Sequence, residues 1–388
     1  MRSPEPEKPA PGKGTPQRDG ATSAAPAAPR TTYGRLGWVD AAKGLCILLV
    51  VAGHAIINLN NNGYATGIWE EINLVIGPVR MPLFFLLSGL FAAKALSESW
   101  RKFADRRIWV MLWLLVLWVP IREIWLAMIP RTTVDHSDDI TAPAGLDPEN
   151  WGPMVGRMLE AVQGPPSYLW FLYALALFAV LSKATRRVHP VLQILVAGVV
   201  AMYTPELDLG WPWNDILHTY VFYLVGMYAA PWIHRLARLR SLPVILGSTA
   251  VYTAVGLRIY TTNDHFNLGL NGPVRLFLAS VGIIAVISAV SALEGSPLLR
   301  PLIAVGSRTL PVFIMHIMVL ATVIFVADLV LPGDPGLPLQ PLILAAIVVA
   351  LCLGLHRLLT ACGVEWLFRR AAWTRQWYLR QVSRSSAA

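Results

Sequence analysis

The chain has 388 residues, of which 55% are hydrophobic and 14% charged, and it carries a formal charge of +9. That balance excludes an ordinary water-soluble domain, whose surface needs more charge than this to stay wet. It also argues against a nucleic-acid binder, because the basic residues lie scattered between apolar stretches and form no patch interleaved with exposed aromatics.

Residues 1–34 are rich in Pro, Ala, Gly, Ser and Thr and cannot bury enough apolar surface to fold alone, so a disordered cytoplasmic tail is expected. No apolar run follows a basic start there, so no cleavable signal peptide is expected. Gly12-Lys13-Gly14-Thr15 lacks the spacing and the strand-to-helix context of a phosphate-binding loop.

A bilayer core is about 30 Å thick and needs roughly 20 mostly apolar residues per spanning helix. About ten stretches approach that length: 39–58, 72–94, 108–129, 168–182, 190–203, 216–233, 242–260, 274–293, 310–331 and 342–362, the fourth and fifth being short. Cytoplasmic loops favour Lys and Arg, and the connections sort by charge. The amino-terminal tail, 94–107, 183–187, 235–240, 300–308 and the tail with Arg369, Arg370, Arg375 and Arg380 are basic. The alternate connections, around Glu70 and Glu71, 135–149, 206–208, 263–264 and Asp334, are acidic or nearly uncharged. The expected fold is therefore all-α: a polytopic transmembrane bundle of about ten helices over 35–365, both termini cytoplasmic, with a basic cytoplasmic tail over 366–388. A multi-pass membrane protein is expected, and the basic composition with abundant Ala, Arg and Trp associates it with a bacterial plasma membrane. The longest connection, 130–167, is too short for a domain, and at best forms a lid or half-helix on the outer face. Cys46, Cys352 and Cys362 lie in or at the end of apolar spans, so no extracellular disulfide framework is expected.

Ionisable residues inside spans are expensive and so point to function. In the first span Asp40 and Lys43 are three apart on one helical face, where they can pair. His54 lies eleven residues beyond Lys43, close to three whole turns, which puts a cation and an imidazole on one stripe about 16 Å apart. The alternative is that Lys43 snorkels to the headgroups and His54 bonds a neighbouring helix. In the second span Arg80 reaches a depth comparable with His54; Pro82 frees a backbone carbonyl and Gly89 admits close packing, as in a cavity-lining or simply a kinked helix. Arg122 and Glu123 interrupt the third span, His218 and Tyr220 begin the sixth, and His316 sits in the ninth. The histidines lack the paired spacing of a zinc site, so no metal is expected, and no serine sits in a nucleophile elbow.

These residues carry a resemblance. The first span, with Asp40, Lys43-Gly44 and Gly53-His54, resembles the first helix of the acyltransferase family 3 membrane proteins, in the branch related to sugar O-acetylases. Met81-Pro-Leu-Phe-Phe-Leu-Leu-Ser-Gly89, Leu169-Trp-Phe-Leu-Tyr173, Phe222-Tyr-Leu-Val-Gly226-Met227 and Leu310 to His316 are similar to later segments, so the likeness spans about residues 35–362. The resemblance implies about ten spans, acyl-coenzyme A as donor (acetyl-CoA in the simplest case), and a carbohydrate or glycolipid hydroxyl as acceptor. The family's Arg, separated by ten intervening residues from an essential His, maps onto Lys43 and His54. Lys keeps the charge and loses the planar fork. Relatives often carry His where this chain has Arg80, a cation suited to an anionic group such as succinyl, phosphate or uronate.

On this reading acyl-CoA enters from the cytoplasm with its phosphates near Lys43, Arg101, Arg106 or Arg107. No tightly bound cofactor is expected. His54 acts as general base to a hydroxyl arriving from outside, or becomes transiently acylated. Arg80 stabilises the developing oxyanion, and Asp40, Ser88, Trp170, Tyr173 and His316 line the substrate pocket. Tyr168 and Trp170 either stack on a sugar or belong to the interfacial aromatic belt. The rival readings are a solute transporter, using His54, Arg80, Arg122 and His316 for an anion or protons, and a glycosyltransferase using lipid-linked sugars.

Overall fold

An α-helix satisfies its own backbone hydrogen bonds, which is the condition for crossing lipid, and the apolar stretches fold accordingly. The computed structural model describes residues 37–129, 133–134, 140–141, 151–160, 167–261, 272–330 and 333–370. The expected 1–34 tail, most of the 130–166 connection, the acidic 263–264 turn and the basic Arg375 and Arg380 lie outside them.

In chain order the helices are α1 (Gly37–Asn61), α2 (Trp69–Gly89) and a short α3 (Trp100–Phe103) that runs through a π-type turn (Ala104–Ile108) into α4 (Trp109–Ala127). Then follow α5 (Trp151–Glu160), α6 (Trp170–Ala184), α7 (Pro190–Met202), α8 (Thr204–Leu207), α9 (Trp213–Tyr228) and α10 (Ala230–Leu239). The last five are α11 (Leu242–Thr261), α12 (Gly272–Ala292), α13 (Arg300–Gly306), α14 (Thr309–Val330) and α15 (Gln340–Ala361). Two-residue strands β1 (Thr133–Val134) and β2 (Ile140–Thr141) pair antiparallel between α4 and α5, with Thr133 opposite Thr141.

Among the described residues seven helices are long and apolar enough to cross a membrane: α1, α2, α3 with α4, α11, α12, α14 and α15. The pair α9 and α10 would add an eighth, bent by 80°. The bend falls where Pro231, in the first turn of α10, lacks the N–H that would continue the helix and crowds the carbonyl of Met227. The expected fourth and fifth spans are the helices α6 and α7, of 15 and 13 residues. At 1.5 Å per residue they reach only about 22 and 20 Å.

Lipid tails are as apolar as leucine, so the helices are held by close backbone approach rather than by exclusion of water. A Cβ at Gly44 would lie 2.0 Å from the carbonyl oxygen of Leu302, and one at Gly306 would lie 1.7 Å from that of Asp40. α1 and α13 thus touch backbone to backbone. α2 and α9 meet in the same way, Gly89 against the carbonyl of Tyr223 and Gly226 against that of Leu86.

The polar contacts between loops fall into two sets, one at each end of the bundle. At the end where α1 begins, Glu294 accepts from Arg240 (2.9 Å) and from the backbone N–H of Trp38 (3.3 Å). There too Lys183, 1% exposed, donates to the carbonyls of Leu96 and Glu98. At the other end Tyr64 donates to Asp328, and Trp69 Nε1 to the carbonyl of Pro338 (2.6 Å). Asp334 accepts from the N–H groups of Ala65 (2.6 Å) and Gly336 (2.8 Å). These two bonds hold the Asp334 carboxyl below its ordinary value of 3.8.

The segment after α15 folds back on α4. Trp113 Nε1 donates to the carbonyl of Trp366 (3.2 Å) and Trp118 Nε1 to that of Leu367 (2.7 Å). Phe368 packs its ring on Trp118 and His356, and Arg370 pairs with Asp105 at 2.6 Å, both largely buried.

Candidate functional site

Near the end where α1 finishes, a cavity of about 380 Å³ opens among α1, α2, α6, α9, α12 and α14. His54, Arg80, Tyr168 and Trp170 line it, together with Asn73, Trp211, Asp215, Arg275 and Phe313. Two prolines shape its α2 wall. Pro78 and Pro82 withhold the N–H groups that would serve the carbonyls of Leu74 and Pro78, and Leu74, Pro78 and Pro82 all face the cavity.

Arg80 lies directly across Gly53, the residue before His54. Its Nη1 donates to the carbonyl of Leu49 (3.2 Å), and a Cβ at position 53 would stand 1.7 Å from that nitrogen. The Gly53-His54 pair thus combines an imidazole with the one residue type that lets a guanidinium settle beside it. On the other side the His54 ring sits 5.2 Å from that of His316, which is fully buried. His316 Nδ1 lies 2.7 Å from the carbonyl oxygen of Phe313; a carbonyl only accepts, so Nδ1 carries the hydrogen and Nε2 is the basic nitrogen of the neutral ring. Tyr168 meets the His316 ring edge-on at 4.8 Å and donates its hydroxyl hydrogen to the carbonyl of Ile314 (2.7 Å).

The other sequence-predicted residues lie elsewhere. Lys43, a half-buried side chain, places Nζ 5.0 Å from the Phe91 ring centre, while Arg107 donates to the Phe91 carbonyl (2.6 Å), so two cations converge on Phe91. Arg106 pairs with Glu98 at 2.9 Å, and Arg101 is exposed on α3 beside them. Asp40 is near the start of α1, and Ser88, near the end of α2, donates back to the carbonyl of Phe84. Tyr173 packs against Trp213 at 5.8 Å and is not part of the cavity wall. The arrangement therefore has two centres, a basic cluster at one end and the His54 cavity at the other.

Sequence reasoning missed Asn73, Trp211, Asp215 and Arg275. Asp215 and Arg275 form an ion pair between α9 and α12 at the cavity wall. Each sits near a helix end, where polar residues are unremarked, and only the fold brings them together. His218, by contrast, is buried against the carbonyl of Ala201 (3.2 Å) and outside the cavity. Among the described residues no three His, Cys, Asp or Glu side chains gather as metal ligands would.

The sequence profile of the acyltransferase domain that defines acyltransferase family 3 matches residues 36–357. The chain is also similar to inner membrane protein YcfT of Escherichia coli strain K12, at 25% identity over 298 residues, covering 72% of this chain and 78% of the relative. No solved structure matches it. The profile covers nearly all of the helical bundle, including both centres, and the long apolar helices agree with the relative's location. The chain belongs to acyltransferase family 3 and is a multi-pass protein of the bacterial inner membrane.

Proposed function

We propose that the protein transfers an acyl group, acetyl in the simplest case, from acyl-CoA in the cytoplasm to a hydroxyl of a carbohydrate or glycolipid at the outer face. The observation that carries this reading is the His54 imidazole on the wall of a cavity, with the Arg80 guanidinium on one side and His316 on the other. An imidazole can serve as the general base that takes the proton from an acceptor hydroxyl. Arg80 would stabilise the oxyanion that forms on the thioester carbonyl. Trp170 and Trp211 provide flat apolar walls of the kind sugar rings stack on.

The donor would approach from the other end. Lys43 and Arg107 around Phe91, with Arg106 and Arg101 nearby, offer cations for its phosphates. The pantetheine arm would then run along α1 to His54, about 16 Å away. We read the bundle as ten spans with both termini in the cytoplasm. What supports this is that the basic connections around 96 and 183, and around 240 and 294 with the start of α1, meet at one end, while the connections around 64–69 and 328–338 meet at the opposite end.

The test is to incubate purified protein in lipid with radiolabelled acetyl-CoA and mixed carbohydrate acceptors, comparing it with His54→Ala. Transfer that vanishes in the variant supports acyltransfer with His54 as base. A wild-type protein that neither binds nor consumes acetyl-CoA or a related acyl donor would overturn the reading and leave anion transport through the same cavity as the leading one.

A further inference from the structure

Behind the cavity lies a charged cluster that the transfer chemistry just described does not use. Arg122 and Glu123 of α4 are 0% and 2% exposed. Glu123 accepts from Arg122 Nη1 through one carboxylate oxygen and from Arg157 Nε (2.9 Å) through the other. Arg157 belongs to α5, which buries none of its residues, and this bond ties α5 to α4. On the opposite side the Arg122 guanidinium lies 6.0 Å from the centre of the Tyr168 ring, at cation–π range. Tyr168 in turn meets His316, and His316 meets His54. The contacts run without a gap from a surface helix to the imidazole on the cavity wall.

A buried ion pair is weak evidence for stability, because desolvation offsets most of the attraction, and it is better justified by what it fixes in place. Here it fixes an aromatic ring. The hydroxyl of Tyr168 is anchored by its bond to the Ile314 carbonyl, and the guanidinium at its ring adds a constraint on ring orientation.

We propose that Arg122, Glu123 and Arg157 are positioning residues that hold Tyr168 against His316, and thereby hold His316 beside His54. The proposal rests on the acyltransfer reading for its kinetic consequence but not for its structural one. Loosening Tyr168 lets the His316 ring turn and lowers kcat. KM for acyl-CoA stays unchanged, since the Lys43 and Arg107 cluster is at the other end.

The experiment uses the double variant Arg122→Met/Glu123→Leu in the full-length protein. It replaces a buried pair by apolar side chains of similar volume and so should keep the fold. Carbethoxylation of histidines by diethyl pyrocarbonate is followed by mass spectrometry in wild type and variant, beside thermal unfolding and acetyl-CoA kinetics. The expected result is an unchanged unfolding midpoint, His316 protected in wild type but modified in the variant, and kcat lower by about tenfold or more with KM unaltered. Arg157→Gln, at a partly exposed position that unfolding will not confuse, should lower kcat in the same direction, and Arg157→Lys should restore part of it.

Unchanged histidine reactivity and unchanged kcat in either folded variant would overturn the proposal. If wild type transfers no acyl group, the acyltransfer reading falls, while His316 reactivity alone still decides whether the cluster positions the ring.

Discussion

At residue scale the sharpest constraint is at Gly53. An alanine there would put its Cβ 1.7 Å from Arg80 Nη1 and 2.8 Å from Asn73 Oδ1. Arg80 is the end of a flexible side chain, so it will swing away rather than unfold the helix. Gly53→Ala is expected to leave the thermal midpoint within a few degrees yet lower acyl transfer by about tenfold, since a misplacement of roughly 1 Å can cost more than that. Parallel melting and transfer assays separate the two effects. Loss of folding instead would mean that the bond from Arg80 to the Leu49 carbonyl is structural. His54, Arg80 and His316 could be singled out in the sequence because a charge or imidazole inside an apolar run is costly, although packing against a neighbouring helix explains a lone histidine equally well. Asn73, Trp211, Asp215 and Arg275 were not, because polar residues near helix ends are the rule and nothing in their order along the chain says that they face one cavity.

At the scale of elements, the glycine contacts set how far each helix can move. Gly306→Leu would drive a side chain into the backbone of Asp40, a contact that cannot rotate away. It is expected to destabilise the protein by about 1–3 kcal/mol or more, the usual penalty of overpacking, and to be read as a lowered unfolding midpoint in detergent. A glycine facing open space, Gly354, is the control, and Gly354→Leu should be neutral. The elements themselves were largely foreseen, since each expected stretch is helical. Their lengths were less legible. Hydropathy sees apolar residues but not where a helix turns, and the 80° bend after Tyr228 and the brevity of α7 arise from Pro231 and from the chain's turn at Thr204 and Pro205. The close approach of α1 to α13 was hidden too, because α13 has only seven residues and reads as part of a basic loop.

For the whole molecule, the two sets of end contacts should respond differently to pH. Asp334 has a folded value depressed below 3.8, so its contribution is fully present above that value and is lost as pH falls through the lower one. Spin labels at Asn62 and Leu337, on the two loops it joins, are expected to hold their separation down to about pH 4 and to widen below it. Asp334→Asn should already widen them at neutral pH. An invariant distance would show that Tyr64 with Asp328 and Trp69 with Pro338 suffice. Topology has its own check: a membrane-impermeant thiol reagent applied to intact cells should label Tyr64→Cys and spare Arg101→Cys. Charge counting offers an alternation of basic and acidic connections, whereas the pairings within each end depend on helix order around the bundle, which it does not contain.

The strap formed by residues 365–370 has a consequence for biosynthesis. α4 is inserted early, yet Asp105 meets Arg370 across a sequence separation of 265, and the indole nitrogens of Trp113 and Trp118 meet their carbonyls 253 and 249 residues downstream. Every long helix has been synthesised before any of these partners exists. This face of α4 therefore stays uncovered until the chain beyond α15 has been made, and its closure by the strap is a late step of assembly.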